Sequence, residues 1–402
     1  MDTDKSWELP DPFLKPDGDR ITEKVEWQEQ REYYKQLLAD EFYGKMPPRP
    51  EKLTGKRLLT QKIWNESGIY EKVRITTGPQ EEIGYNVHVF RPNRKEKTIP
   101  IIIPAGTYLD ESIAKFAVQQ NFSIMSFEIQ EAAPDDRENY KNGSCKRAYP
   151  EFSWKALAMW AWLQSRVIDW LETQDFIDMD KVVVTGHSRM GKAALCCGIY
   201  DERAVVVAPA GSGCGGMASL RLNGSRLGEG IGRAERIGVM LRPDNFGYWL
   251  MDGMRDYGTE DGMTAYRENE IPFDANILGS CIAPRGLVLT EGLDDIWINA
   301  FGTQTAWLAT AEVYQFLDVS EKCAIHYREG GHEYNLEDWK IVLDFCQVIL
   351  NGREKTTNYK IAGKDEVKCG YSWKNPAPEP ERIEAGIVFR KKEWSFLQKE
   401  GN

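Results

Sequence analysis

The sequence predicts an α/β protein: a mostly parallel sheet with helices on both faces, a three-layer sandwich. Three observations carry this. Short runs such as "TIPIIIPAG" and "FSIMSFEI" are apolar at every position, as strands buried on both faces must be. Longer stretches with apolar residues at helical spacing alternate with them. Finally, "VVVTGHSRMGKAAL" (182–195) joins a β-branched run to a helix-forming run through a tight glycine-flanked turn.

Taken in chain order, Glu23 to Lys45 reads as an amphipathic helix that "MPPRP" ends, because proline removes a backbone donor and clashes with the preceding turn. Tyr85–Pro92 alternates like a half-exposed strand, and Thr98–Gly106 and Phe122–Ile129 are buried strands. Phe152–Gln174 shows a wide apolar helical face, and the glycine-flanked strand follows directly. Further strands are expected at Ala204–Gly211, Gly286–Gly292 and Lys322–Gly330, with a last helix over Glu337–Leu350. These divide the chain into an N-terminal helix and extended segment (1–80), a catalytic α/β domain (81–351) with an insertion around 217–280, and a polar extension (352–402). That extension holds "NPAPEPE" and a late strand or docking piece, "GIVFRKKEWSFL".

The bulk numbers exclude several classes. A net charge of −11 over 402 residues argues against a nucleic-acid or anionic-membrane surface. No apolar run reaches the length that spans a bilayer. The eight cysteines form no C-x-x-C pair, and several sit in apolar runs, so buried reduced thiols are expected rather than disulfides or a zinc site. No metal and no cofactor is expected. The start "MDTDKSWELPDPF" lacks the basic-then-apolar pattern of a leader, which suits a cytoplasmic protein or one whose leader is absent from this chain.

The stretch "GHSRMGK" fits two incompatible chemistries. As G-x-x-x-x-G-K it is a phosphate loop, but Ala193 stands where the magnesium-binding hydroxyl belongs. No strand offers a well-placed metal-holding Asp either. As Gly186-x-Ser188 it is a nucleophile elbow in which Met190 replaces the second glycine and Gly191 comes one residue late. The rest of the chain decides between them. An α/β-hydrolase presents its Ser, acid and His in that order, each after a later strand. "VLTEGLDDIW" supplies Asp294 and Asp295, and counting from the strand-ending Gly292 selects Asp295. "HYREGGHEYN" then puts His332 on a glycine-rich loop. A bare helix cap at Ser188 explains none of these partners.

The segments "GHSRMGKAAL", "GSGCGG", "GEG", "PFDANILGSCIAPRG", "EGLDDIW" and "EGGHEYNLEDW" resemble the glucuronoyl esterases, carbohydrate esterase family 15, over roughly 156–350. The family's motif is G-x-S-R-x-G-K, so Met190 is normal there. The resemblance implies hydrolysis of the ester between 4-O-methyl-glucuronic acid on xylan and a lignin alcohol. It implies Ser188 as nucleophile, His332 as general base, Asp295 as the orienting acid and Arg189 as an oxyanion donor. It also implies Lys192, Glu229 and Trp297 as sugar-binding residues. The partner would be a glucuronic acid ester of xylan or a xylo-oligosaccharide, bound by a monomer. Two departures stand out. Many members carry the acid as Glu at the position of Gly211, and many have His where Asn276 stands.

Two other functions compete. Another carbohydrate esterase of the same fold, such as an acetyl-xylan esterase, would use the same Ser188 and His332. A non-catalytic carbohydrate-binding protein on a hydrolase scaffold would explain the missing Glu at 211 but not the intact Ser–Asp–His order.

Overall fold

In a computed structural model, residues 8–104, 109–222, 234–257, 267–362 and 371–376 are described, together with the backbone of 388–389. The N-terminal helix α1 spans Trp27–Leu38, shorter than the sequence suggests, because the chain widens into a π turn over Ala39–Tyr43 before Gly44 (φ 82°) ends it. Phe42 and Tyr43 of that turn are buried. Strands β1 (Leu53–Ile63) and β2 (Gly68–Thr77) form an antiparallel hairpin that the sequence reading did not identify. β1 is solvated along nearly its whole length, so it lacks the apolar pattern that betrays a strand.

β3 (Ile83–Pro92), β4 (Ile99–Pro104), helix α2 (Glu111–Gln119) and β5 (Phe122–Phe127) follow. Next come α3 (Ser144–Ala148), α4 (Ala156–Leu171), β6 (Val183–His187), α5 (Arg189–Tyr200) and β7 (Val206–Ala210). The remaining elements are α6 (Ile237–Met240), α7 (Ala275–Ser280), β8 (Gly286–Gly292), α8 (Ala300–Phe316), β9 (Cys323–Arg328), α9 (Leu336–Asn351), β10 (Lys360–Ala362) and β11 (Val388–Phe389). Helix α8 was also missed. It is buried nearly all round and carries Thr303, Gln304, Thr305 and Thr310 among its apolar residues, which blurs any amphipathic stripe.

Among the described residues eleven strands make one sheet, in the order β1-β2-β3-β5-β4-β6-β7-β8-β9-β10-β11. It is antiparallel from β1 to β5 and parallel from β5 through β11. This is the α/β-hydrolase architecture. Because β4 to β9 run in parallel, the loops that follow β6, β8 and β9 open at the same sheet edge. One core, with Ile101, Val183, Trp339 and Val342, lies under α2 and α9; the other, with Leu157, Trp160, Leu195 and Trp307, lies under α4, α5 and α8.

The seven described cysteines are free and buried. No described helix is long and apolar enough to cross a membrane. Asn276, a departure from the resembling family, is fully buried on α7 and donates to the Pro10 carbonyl, which ties the N-terminal segment to the core.

Candidate active site

The turn between β6 and α5 is held by two close approaches. A Cβ on Gly186 would lie 2.2 Å from the Met190 carbonyl oxygen, and one on Gly191 would lie 2.9 Å from the Ala210 oxygen and 3.1 Å from that of Gly186. Gly191 therefore does the packing expected of the elbow's second glycine, which frees position 190 for a buried methionine. Between them Ser188 adopts φ 56°, ψ −126°, a backbone strain that non-glycine residues keep only where the surroundings impose it. Its N–H donates to the Ala210 carbonyl, and its side chain stays partly exposed at the start of α5.

The loops after β8 and β9 supply the partners. Asp295 Oδ2 lies 2.5 Å from His332 Nδ1, with the carboxylate buried and the imidazole partly exposed. A proton on Nδ1 donated to this carboxylate leaves Nε2 as the acceptor, the tautomer a general base requires. The loops are tied together by Asp294 N–H donating to the Gly330 carbonyl and Leu293 N–H to that of Arg328. Asp294 is half-buried.

Position 211, where many members of the resembling family carry Glu, lies against the same imidazole. Gly211 has φ +47°, and a Cβ there would sit 3.1 Å from His187 Nε2 and 3.8 Å from His332 Cε1. His187 thus fills the space that a longer side chain would need. Its ring centroid is 4.4 Å from that of His332.

Burial, then the positive charges of His332, Arg328 and Lys192, pushes the His187 pKa down to about 3. A neutral His187 leaves the imidazolium of its neighbour unopposed. The unfolded chain binds this proton near pH 6.5 and the folded chain only near 3. Stability from this group is therefore present above pH 6.5 and lost as pH falls through that window. Thermal melts between pH 7 and 4 should show a shallower acid loss for His187→Gln than for the parent chain.

Lys192, one turn into α5, is buried and bonds Glu235 Oε2 at 2.8 Å. Its ammonium also lies 5.6 Å from the Trp249 ring centroid. The "GSGCGG" loop wraps this pair: a Cβ on Gly213 (φ +60°) would fall 2.5 Å from Glu235 Oε2. Glu235 N–H donates to the carbonyl of Trp297, whose side chain is 43% exposed rather than in the core. Glu229, the acid chosen from the sequence, lies outside the described residues. Sequence reasoning missed Glu235, because nothing in "GRAERIG" marks it as buried. Glu235→Ala would strand a buried ammonium, so it is expected to cost about 3–5 kcal/mol of stability by urea unfolding.

Arg189 reaches the same region. Its Nη1 lies 2.7 Å from Asp135 Oδ2, on the loop after β5. Among the described residues, no group of three or more His, Cys, Asp or Glu side chains is placed to hold a metal ion.

Comparisons with known proteins place the chain in a family. The family model described as "Glucuronyl esterase, fungi" matches residues 73–318. A carbohydrate esterase from an unknown prokaryotic organism, MZ0003, is 23% identical, covering 86% of this chain and 90% of that protein. The 4-O-methyl-glucuronoyl methylesterase of Schizophyllum commune is 27% identical over 87% of this chain and 84% of its own. Among solved structures, the family 15 glucuronoyl esterase of Caldicellulosiruptor kristjansonii superposes with a TM-score of 0.76 at 26% identity, covering 92% of this chain and 97% of that one.

Proposed function

Because the chain belongs to the glucuronyl esterase family and is thereby a carboxylic ester hydrolase, we propose that it cleaves the ester between (4-O-methyl-)glucuronic acid of glucuronoxylan and lignin alcohols. The observation that carries this reading is the Asp295–His332 bond, with its imidazole against His187, the residue before a serine held in a strained elbow. Ser188 Oγ attacks the uronate carbonyl while His332 Nε2 takes its proton. The tetrahedral oxyanion forms beside the Arg189 guanidinium and the free N–H groups that open α5. On collapse the C–O bond to the alcohol breaks, and His332 returns the proton to the leaving oxygen. The uronoyl group stays on Ser188. Water, deprotonated by His332, then attacks the acyl-enzyme and releases the uronic acid and the serine.

Asp295 keeps the imidazole in the required tautomer and stabilises its protonated form. Lys192 and Glu235, with Trp297 beside them, supply a donor, an acceptor and an aromatic face for sugar hydroxyls and ring. That set favours a sugar on the acid side of the ester over an acetylated sugar. Benzyl and methyl glucuronate esters should be turned over efficiently, and an acetylated xylose poorly. The reverse preference would replace this reading by that of an acetyl-xylan esterase.

A further inference from the structure

We propose that Asp135 is the positioning residue for Arg189, and that the segment 246–249 completes the holder. The inference rests on the reading of Arg189 as an oxyanion donor. A guanidinium on a three-carbon stem, here with a side chain 38% exposed, has many rotamers open to it. An oxyanion donor must instead stand ready in one place, since its advantage lies in needing no reorganisation when charge develops. Something has to restrict it.

The restraint is visible in three contacts. Asp135 Oδ2 accepts from Arg189 Nη1 at 2.7 Å, with the carboxylate side chain only 14% exposed. Asp135 Oδ1 is itself fixed, accepting from Tyr248 OH at 2.6 Å and from Trp249 Nε1 at 3.3 Å. The guanidinium carbon lies 5.1 Å from the Phe246 ring centroid and 4.9 Å from that of Trp249. Those rings stack on each other 4.0 Å apart. The guanidinium is nearly equidistant from two rings that are themselves only 4.0 Å apart, so Arg189 packs against the side of the stack rather than between its rings. The rings block rotamers on that flank, and Asp135 holds one N–H of a fork that carries five.

The holder is anchored to the scaffold. Ala156 and Leu157, at the start of α4, donate their N–H groups to the carbonyls of Tyr248 and Trp249. Trp160 Nε1, one turn further along α4, donates to the Ala133 carbonyl, fixing the loop that carries Asp135. One helix end thus sets both halves. A mobile Arg189 would still bind and still carry charge, but its donors would be misplaced at the transition state. Misplacement of about 1 Å can cost a factor of roughly 100.

The test is a double-mutant cycle of Asp135→Asn and Arg189→Ala, with Asp135→Glu and Tyr248→Phe as milder variants and melting curves as folding controls. On benzyl glucuronate, Asp135→Asn should lower kcat by roughly 10- to 100-fold with KM changed less than about threefold. In the Arg189→Ala background the same substitution should lower kcat by less than about twofold. Asp135→Glu should recover part of the loss. Wild-type kcat in Asp135→Asn, with Arg189→Ala impaired, would overturn the inference and leave the oxyanion reading standing. Equal losses in both backgrounds would also overturn it, marking a merely structural role. An unimpaired Arg189→Ala would remove the oxyanion reading and the inference together.

Discussion

Ser188→Ala is expected to lower kcat on benzyl glucuronate by about a millionfold, to the residual level that binding and oxyanion donors supply without a nucleophile. The expectation follows from the geometry of the turn. Ser188 is held at φ 56° by Gly186 and Gly191, whose missing Cβ atoms let strand, turn and helix touch. That strain would be selected against at a mere helix cap. Alanine tolerates the same backbone about as poorly as serine, so the melting temperature should hardly move. The companion measurement is labelling by a fluorophosphonate, which should be stoichiometric in the parent chain and absent in Ser188→Ala. A parent chain that resists the label while remaining folded would favour a non-catalytic carbohydrate-binding protein instead.

Asp295→Asn is the second large effect, about a 10,000-fold loss of kcat with little change in KM. Asparagine keeps the size and a hydrogen bond to His332 Nδ1, but it can donate as well as accept. The imidazole is then free to place its proton on Nε2, where it cannot act as base. No second acid should relieve this loss, because position 211 offers no carboxylate and His187 occupies the space beside it. Glu291, buried on β8, is no substitute: burial first, and then the charges of Asp295 and Asp338, push its pKa well above the usual carboxylate range. Burial therefore works against the negative charge that an imidazolium partner would need. A variant retaining more than a few per cent of the parent rate would show that Asp295 is not the orienting acid. Asp294→Asn, one residue away and half-buried, is the matched control and should remain active.

Much of the fold was legible because burial leaves a local trace. Runs such as "TIPIIIP" and "VVVTGH" are apolar at every position since both faces of a central strand are covered, and the helices between them repeat at 3.6 residues. Residues that escape that rule were missed. β1 is solvated along its length and α8 is covered on nearly all sides, so neither shows a two-sided pattern. Element ends drifted for a related reason: the helix after Glu23 passes into a π turn whose residues are as apolar as those of the helix proper.

The candidate site divides in the same way. Ser188, Asp295 and His332 could be read from the sequence because parallel topology places successive loops at one sheet edge, so chain order stands in for position. Their mutual geometry could not: the 2.5 Å contact joins residues 37 apart. Arg189 and Lys192 were also legible, being one and four residues beyond the serine. Their partners Asp135 and Glu235 lie 54 and 43 residues away, on loops with no motif of their own. By itself, then, the sequence determined the central parallel strands, the elbow and the chain order of the candidate groups, which are set by local pattern and topology. Only the tertiary structure decided which carboxylate neutralises which cation, and why Gly191 can replace a glycine at 190. Those outcomes depend on distances of a few ångströms between segments far apart in the chain, and no local periodicity encodes them.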